Sequence, residues 1–521
     1  MQHHQNPWQQ RAFKVLKQYY GYDSFRPGQG EMIRTLMEGR DALAVMPTGA
    51  GKSLCFQVPA LLMEGITLVV SPLVSLMKDQ VMTLVANGVA GAYLNSSLNE
   101  RQMEKAIRNA AAGKYKIIYV APERLLTKRF QEFVQQAPIS MVAVDEAHCV
   151  SQWGQDFRPS YLDILPFLEG LPHRPVVGAF TATATPQVKE DIIRLLGLIS
   201  PQEVTLSFDR PNLFFRVMEP KDKKQALWQF ISGHEGQSGI VYCATRRAVE
   251  EVAAFLSDQG ISAAPYHGGM EHALRAKHQE EFLYDRVQVM VATNAFGMGI
   301  DKPNVRFVVH YQMPKDMESY YQEAGRAGRD GQKAWCLLLY QKKDVALEQY
   351  LLRHRKDLSH LTEEEQAKVT QAEQERLKQM VWYCKTKGCL REYILEYFGQ
   401  KAPRQCSACG NCLHYFRTEE PTGLDMAQKK AVDLWQSREK KLGQYEDHPL
   451  FLRLKEVRKT LAHQAGVPAF VIFSDRTLEA MTEKMPQDRD DLLHIPGVGQ
   501  KKLLLYGDAF LQAVRTYLRD R

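Results

Sequence analysis

The chain has 521 residues, 45% of them hydrophobic and 24% charged, with a formal net charge of +7. Such a length exceeds what one hydrophobic core supports and implies three or four domains. The ordinary composition excludes a fibrous or disordered chain, and the mild basicity suits a nucleic-acid partner.

Nine cysteines in a long chain, with no basic region leading into an apolar run at the start, argue against a disulfide framework and a secretory leader. They imply a reducing, cytoplasmic setting. The apolar stretch 66–77 is interrupted by Ser71 and Pro72 and is too short to span a bilayer, so no membrane association is expected.

Taken in order, residues 41–46, 67–71, 116–120, 141–144 and 176–180 are short apolar runs separated by helical stretches. Continuous apolar strands alternating with helices indicate a buried parallel sheet. The pattern restarts with 238–243, 287–292 and 305–310, and the stretch 208–212 between the two sets reads as a hinge. This gives two similar α/β domains, 1–207 and 208–340. A helical, cysteine-bearing module follows at 341–415, then a Lys-, Glu- and Gln-rich linker at 416–446. Amphipathic periodicity returns at 447–521 as a small all-α domain.

Three blocks carry chemistry. Met46-Pro-Thr-Gly-Ala-Gly-Lys-Ser53 follows a strand and precedes a helix, the setting a phosphate loop needs. Thr48, Gly49 and Gly51 let backbone amides wrap a phosphate at the positive end of a helix, Lys52 reaches the β- and γ-phosphates, and the Ser53 hydroxyl ligands Mg²⁺. Met46 stands where the strict pattern has glycine. Asp145-Glu-Ala-His148 ends an apolar strand, where a Mg²⁺-binding Asp145 and a water-orienting Glu146 are required. Arg326 and Arg329, in Gln322-Glu-Ala-Gly-Arg-Ala-Gly-Arg329, are three apart and fit one helical face aimed at a γ-phosphate.

Cys389, Cys406, Cys409 and Cys412 have the short spacings of a tetrahedral Zn²⁺ site, with Cys384 as a rival for the first ligand.

On these blocks the sequence resembles superfamily 2 helicases, specifically the RecQ family, over nearly the whole chain. The resemblance implies two RecA-like parallel-sheet domains, a helical zinc-binding module and an HRDC-like helical domain. Stretch 20–29 is similar to the family's adenine motif, which implies that Tyr22 and Arg26 sandwich the base and Gln29 reads its edge, making ATP the fuel. Stretches 71–80 and 120–124 resemble strand-tracking motifs, and Thr181-Ala-Thr183 the motif coupling the two domains. Stretch 291–301 resembles the second-domain motif that puts Gly299 and Asp301 near the nucleotide. Stretches 242–245 and 266–269 resemble second-domain backbone-binding motifs.

The stretch 149–159 resembles the family's aromatic loop. Trp153 and Phe157 are large aromatics set among polar residues, and such rings stack on unpaired bases for about 1–3 kcal/mol each. Arg158 suits phosphate or base. Gln155 stands where a histidine is usual, which implies looser coupling between DNA and hydrolysis. Gly497-Val-Gly499 ahead of Gln500-Lys-Lys502 reads either as a backbone-phosphate turn or as a tight helix connector.

Family members usually carry a winged helix between the zinc module and the HRDC domain. Here about 35 residues separate Cys412 from His448, too few for such a domain. The reading is an ATP-dependent, 3′→5′ DNA helicase of bacterial type using Mg²⁺ and Zn²⁺. It acts as a monomer on single-stranded DNA and 3′-tailed duplexes in repair and recombination at the nucleoid, with single-stranded DNA-binding protein as a candidate partner. The alternatives are a DNA-stimulated translocase with weak unwinding and an RNA-remodelling ATPase.

Overall fold

Residues that are apolar on both faces form strands that bury both faces, and the chain builds two all-parallel sheets from them. The computed structural model describes residues 7–95, 97–154, 156–296, 302–354, 363–413, 445 and 448–520. It divides into two compact units, Met1–Ser207 together with Asp447–Arg521, and Phe208–Glu446.

In the first unit the strands are β1 (Ala42–Val45), β2 (Ile66–Val70), β3 (Gly91–Leu94), β4 (Ile117–Val120), β5 (Ile139–Val144), β6 (Val176–Thr181) and β7 (Gln202–Thr205), in the order β3-β4-β2-β5-β6-β1-β7. Every pairing is parallel. β1 and β2 are fully buried, and β5 is buried from Met141 to Val144, because helices cover both faces. Parallel order puts all the strand C-termini on one edge, where a site belongs in such sheets. β5, β6 and β1 are neighbours, so Asp145, Thr181 and the phosphate loop emerge side by side.

The C-terminal helices Pro449–Ala465, Ala469–Ile472, Asp475–Lys484, Arg489–Leu493 and Gln500–Arg519 close around Leu454, Ile472, Met481, Leu492 and Phe510. This helical domain belongs to the first unit, which its sequence did not foretell. Its seat is a turn against a turn. Gly497 N–H donates to Gly21 O at 3.0 Å, and Lys501 Nζ donates to Val85 O at 2.5 Å. Gly21 has a φ of +73°, and a Cβ there would lie 2.5 Å from Val498 N, so no side chain fits between the two turns.

In the second unit the strands are β8 (Leu213–Met218), β9 (Ser238–Tyr242), β10 (Ala263–Tyr266), β11 (Val289–Ala292), β12 (Val305–His310) and β13 (Ala334–Leu339), in the order β10-β11-β9-β12-β13-β8. Helices Lys342–Arg353, Glu363–Lys385 and Leu390–Tyr397 lead to the cysteine cluster. Its loop extends the sheet: Phe215 N–H donates to Ala408 O, Gly410 N–H donates to Phe215 O, and Phe215 bridges Cys409 beside β8. The expected 416–446 linker lies outside the described residues, apart from Tyr445.

A buried carboxyl in this unit makes a pH prediction. Glu348 is 6% exposed, and burial, with Asp316, Asp344 and Glu323 adding, pushes it up to about 7 against the pull of Lys315. A carboxyl raised on folding contributes stability below its unfolded pKa and loses it as pH rises through the folded value. Glu348→Gln is therefore expected to gain ~1–3 kcal/mol over the parent at pH 8 and nothing at pH 4. Thermal melts of both proteins at the two pH values check this, and an equal effect at both would refute it.

Candidate nucleotide and nucleic-acid site

The phosphate loop joins β1 to the helix Lys52–Leu62, whose N-cap is Gly51. Met46 N–H donates to Thr181 O at 2.9 Å, so the loop leaves the sheet tied to β6. Thr48 and Gly49 lie on this loop, Ser53 opens the helix, and Lys52 Nζ sits 3.4 Å from Met46 O.

The adenine-like stretch is bound to the same loop. Gln29 is buried, accepts from Arg26 N–H at 2.8 Å, and donates to Ala50 O at 3.2 Å and Gly51 O at 3.1 Å. Arg26 Nη1 donates to Gly49 O at 2.5 Å, whereas Tyr22 is 40% exposed. Gln29 and Arg26 thus reach the phosphate loop, while Tyr22 presents its ring outward.

At the end of β5, Asp145 Oδ1 accepts from Glu146 N–H at 3.0 Å, and Tyr161 donates its hydroxyl to Asp145 O at 2.8 Å. Burial pushes the Asp145 carboxyl up to about 7, Glu146 adds to the rise and Lys52 opposes it. A half-buried carboxyl pair of this kind suits a cation. Glu146 has φ +47°, a left-handed conformation costing roughly 1–2 kcal/mol in a non-glycine residue. Its Oε2 is buried without a protein hydrogen-bond partner. An acceptor held in strain and left bare suits an incoming water or hydrated metal.

His148 lies behind this pair, with Nδ1 at 2.8 Å from Thr181 Oγ1 and 3.4 Å from Glu146 Oε2. The Thr181 hydroxyl donates to Thr183 O at 3.0 Å, so His148 Nδ1–H must be the donor to Thr181. Burial lowers the His148 pKa and keeps the ring neutral.

The aromatic loop is rooted in the same place. Arg158 N–H donates to Cys149 O, and Trp153 N–H donates to Ser151 Oγ at 3.1 Å. Ser151 in turn donates to Asp191 Oδ2 at 2.7 Å, on the helix Pro186–Leu195. Arg158 donates to Pro72 O at 2.8 Å and pairs with Asp156 at 3.1 Å. Trp153 and Phe157 are half-buried, each keeping part of its ring available. Sequence reasoning missed Tyr161 and Asp191. The hydroxyl-bearing Tyr161 sits amid an apolar stretch and Asp191 on a helix face, and neither position has a motif to mark it. Gln155, Gly299 and Asp301 lie outside the described residues.

In the second unit the arginines do not sit on a helix as expected. The helix Met317–Ala324 ends at Gly325, and Arg326 and Arg329 lie in the turns that follow, because Gly325, Gly328 and Gly331 favour turn over helix. Arg326 is buried and Arg329 half-buried, with Tyr242 beside both. Glu323 bonds His310 at 2.9 Å, fixing the helix end against β12. Of the backbone-binding stretches, Thr245 caps the helix Arg246–Asp258 and His267 bonds Glu250 at 2.8 Å.

The sulfur atoms of Cys389, Cys406, Cys409 and Cys412 lie within 4.8 Å of one another, and Cys384 is not among them. The Cys389 and Cys409 sulfurs are 4.0 Å apart. A tetrahedral zinc with bonds of about 2.3 Å needs sulfurs roughly 3.8 Å apart, so the group fits. Glu392 N–H, Cys406 N–H and Cys412 N–H donate to Cys389, Cys412 and Cys409 sulfurs, favouring thiolates.

The fold and these sites define a two-domain helicase with an appended metal module. Family models agree segment by segment: DEAD/DEAH box helicase over 26–192, helicase conserved C-terminal domain over 222–331, RecQ zinc-binding over 342–413 and HRDC domain over 447–514. The ATP-dependent DNA helicase RecQ of Bacillus subtilis (strain 168) is 39% identical, covering 98% of this chain and 99% of its own. That of Pasteurella multocida (strain Pm70) is 35% identical, over 99% and 95%. The chain belongs to the RecQ helicase family.

Solved structures share the fold at low identity. Mycobacterium smegmatis helicase Lhr bound to ssDNA and AMP-PNP gives a TM-score of 0.52 at 19% identity over 73% of this chain and 57% of its own. DEAD-box helicase Mss116 bound to ssRNA and UDP-BeF gives 0.54 at 17% over 70% and 80%. Among the described residues no helix is long and apolar enough to cross a membrane.

Proposed function

We propose that the protein is an ATP-dependent DNA helicase that moves 3′→5′ along single-stranded DNA and opens duplexes in repair and recombination. The observation that carries this reading is the shared root of the aromatic loop and the Asp145–His148 segment, bolted to β6 and the following helix by His148–Thr181 and Ser151–Asp191. A base stacked on Trp153 or Phe157 would pull on the peptide that holds Glu146.

In this reading Tyr22 and Arg26 hold adenine, with Gln29 linking that contact to the phosphate loop. Thr48, Gly49 and Gly51 cradle phosphate, and Lys52 neutralises its charge. Ser53 and Asp145 hold Mg²⁺, which supplies charge to the phosphoryl oxygens. Glu146 orients the attacking water, Gly299 and Asp301 complete the nucleotide contacts, and Arg326 and Arg329 stabilise the charge that develops. Trp153, Phe157 and Arg158 contact the strand. Cys389, Cys406, Cys409 and Cys412 hold a structural Zn²⁺.

The protein works as a cytoplasmic, nucleoid-associated monomer, a setting supported by nine cysteines that are all free of disulfides. Single-stranded DNA-binding protein is its candidate partner.

A second reading, a DNA-stimulated translocase with weak unwinding, is favoured by the short stretch between Cys412 and His448. Strand separation on 3′-tailed and 5′-tailed duplexes, with and without ATP, tests both. ATP-dependent opening of the 3′-tailed duplex alone is expected. DNA-stimulated hydrolysis without opening would support the translocase, and opening of the 5′-tailed duplex would overturn the polarity.

A further inference from the structure

The residues ahead of β8, expected as a hinge, are bonded into the second unit itself. Arg210 turns its guanidinium onto the turn that bears Arg326 and Arg329. Its Nη1 donates to Gly325 O at 3.4 Å, and its Nη2 donates to Ala327 O at 3.1 Å and Gly328 O at 2.9 Å. Asn212 Nδ2 donates to Gly328 O at 2.9 Å and Gln332 O at 2.8 Å. The two side chains are themselves joined, Arg210 Nε donating to Asn212 Oδ1 at 3.3 Å.

These bonds meet a specific need. The helix Met317–Ala324 has ended, so the carbonyls beyond it have no intrahelical donors, although Gly328 O also accepts the Gly331 N–H at 3.0 Å. Arg210 and Asn212 supply those donors from outside. The turn is built to receive them: Gly328 has φ +56°, and a Cβ there would lie 2.5 Å from both Asn212 Nδ2 and Gln332 O. A planar fork spanning three carbonyls sets the backbone from which Arg326 and Arg329 project far more tightly than a single point charge could.

The brace is fixed on its other side. Phe208 stacks on Phe398 with ring centroids 4.3 Å apart, its N–H donates to Gln400 Oε1 at 2.8 Å, and its carbonyl accepts from Tyr321 at 2.6 Å. Asp209 pairs with Arg391, whose Nη2 donates to Leu213 O at 2.8 Å. The 208–213 segment is thus anchored to the helix that follows Cys389 and to the strand it enters.

We propose that Arg210 and Asn212 are positioning residues for ATP hydrolysis, holding the Arg326–Arg329 turn where its guanidinium groups meet the transferred phosphate. This rests on the reading that Arg329 acts in hydrolysis. Misplacing a catalytic group by about 1 Å costs up to about a hundredfold in rate, so a loosened turn has a measurable effect.

The test uses the full chain. Asn212→Asp keeps the shape but aims a carboxylate at two carbonyls, and Arg210→Lys keeps the charge but loses the fork. Each is expected to lower kcat for DNA-stimulated ATP hydrolysis about tenfold. KM for ATP and the Kd for single-stranded DNA should stay within about twofold, since neither residue is assigned to bind either ligand. In an Arg329→Ala background, Asn212→Asp should cost less than about twofold further, because both changes remove one contribution.

If Arg329→Ala itself leaves kcat unchanged, the underlying reading fails. If it lowers kcat and Asn212→Asp still adds its full tenfold loss, the inference is overturned. Parallel losses of kcat, ATP affinity and DNA affinity in both variants, with lowered melting temperature, would give the two residues a purely structural part and overturn it equally.

Discussion

Glu146→Gln is expected to lower the turnover of ATP by roughly 10²–10⁴-fold, the range for loss of a group that would take the proton of a reacting water. Glutamine is isosteric, so the left-handed backbone at φ +47° and the contact with His148 are kept in outline. What is lost is the negative charge at Oε2, the atom the fold leaves buried without a protein hydrogen bond. Asp145 keeps its hydrogen bonds from Glu146 N–H and the support of Tyr161 behind its carbonyl. Nucleotide affinity should therefore hold, or rise slightly as one of two crowded carboxyls becomes neutral. Measuring kcat with single-stranded DNA, and binding of a fluorescent ATP analogue in parallel, separates the two effects. Undiminished hydrolysis in the variant would remove Glu146 from the mechanism.

The second large effect is on stability. Cys406→Ser leaves three sulfurs in the cluster that four now form. Structural zinc binding contributes on the order of 10 kcal/mol in small zinc modules, so a ligand lost there unfolds its surroundings rather than perturbing them. The surroundings include the Phe215–Cys409 bridge along β8 and the cap that Cys389 makes on the helix Leu390–Tyr397. The expected result is loss of bound zinc and a new melting transition well below the parent's. New protease cuts should cluster around 389–413. Equal zinc content and an unchanged melt in the variant would contradict a structural metal.

Much of this architecture was readable in advance, and the reasons differ by element. Strands β1, β2, β4, β5, β6, β9, β11 and β12 coincide with apolar runs because most of their residues are buried on both faces of the sheet and few are polar, with Ser140 and Arg306 sitting where burial is incomplete. The strands β3, β7 and β10 escaped for the opposite reason. They lie at sheet edges, and Gln202–Thr205, with one buried residue in four, has no apolar signature. β13, Ala334–Leu339, and β8 are also apolar, but each directly follows a motif-bearing stretch, the arginine turn and the 208–212 segment, and so does not stand apart as a run of its own.

The phosphate loop, the acidic pair and the cysteines were legible because their chemistry demands particular residues at fixed spacings. The supporting residues were not. Tyr161, Asp191 and Arg210 act through backbone carbonyls or a serine hydroxyl, partners that leave no mark on their spacing. The misjudged helix at Arg326 and Arg329 has a similar cause. A spacing of three suits a helical face, and the need for glycine at 328 shows only in the structure, where φ is +56° and Asn212 fills the space a Cβ would need.

The seat of the C-terminal domain has one further consequence. Of the two readings of 497–499, a backbone-phosphate turn would need the Gly497 amide, which already serves the Gly21 carbonyl at 3.0 Å. One N–H cannot satisfy both acceptors at full strength, and with no room for even a methyl group between Gly21 and Val498 a phosphate cannot enter beside it. While the domain is seated in this way, the 497–499 turn serves as a connector docked on the first domain, with its leading amide already committed.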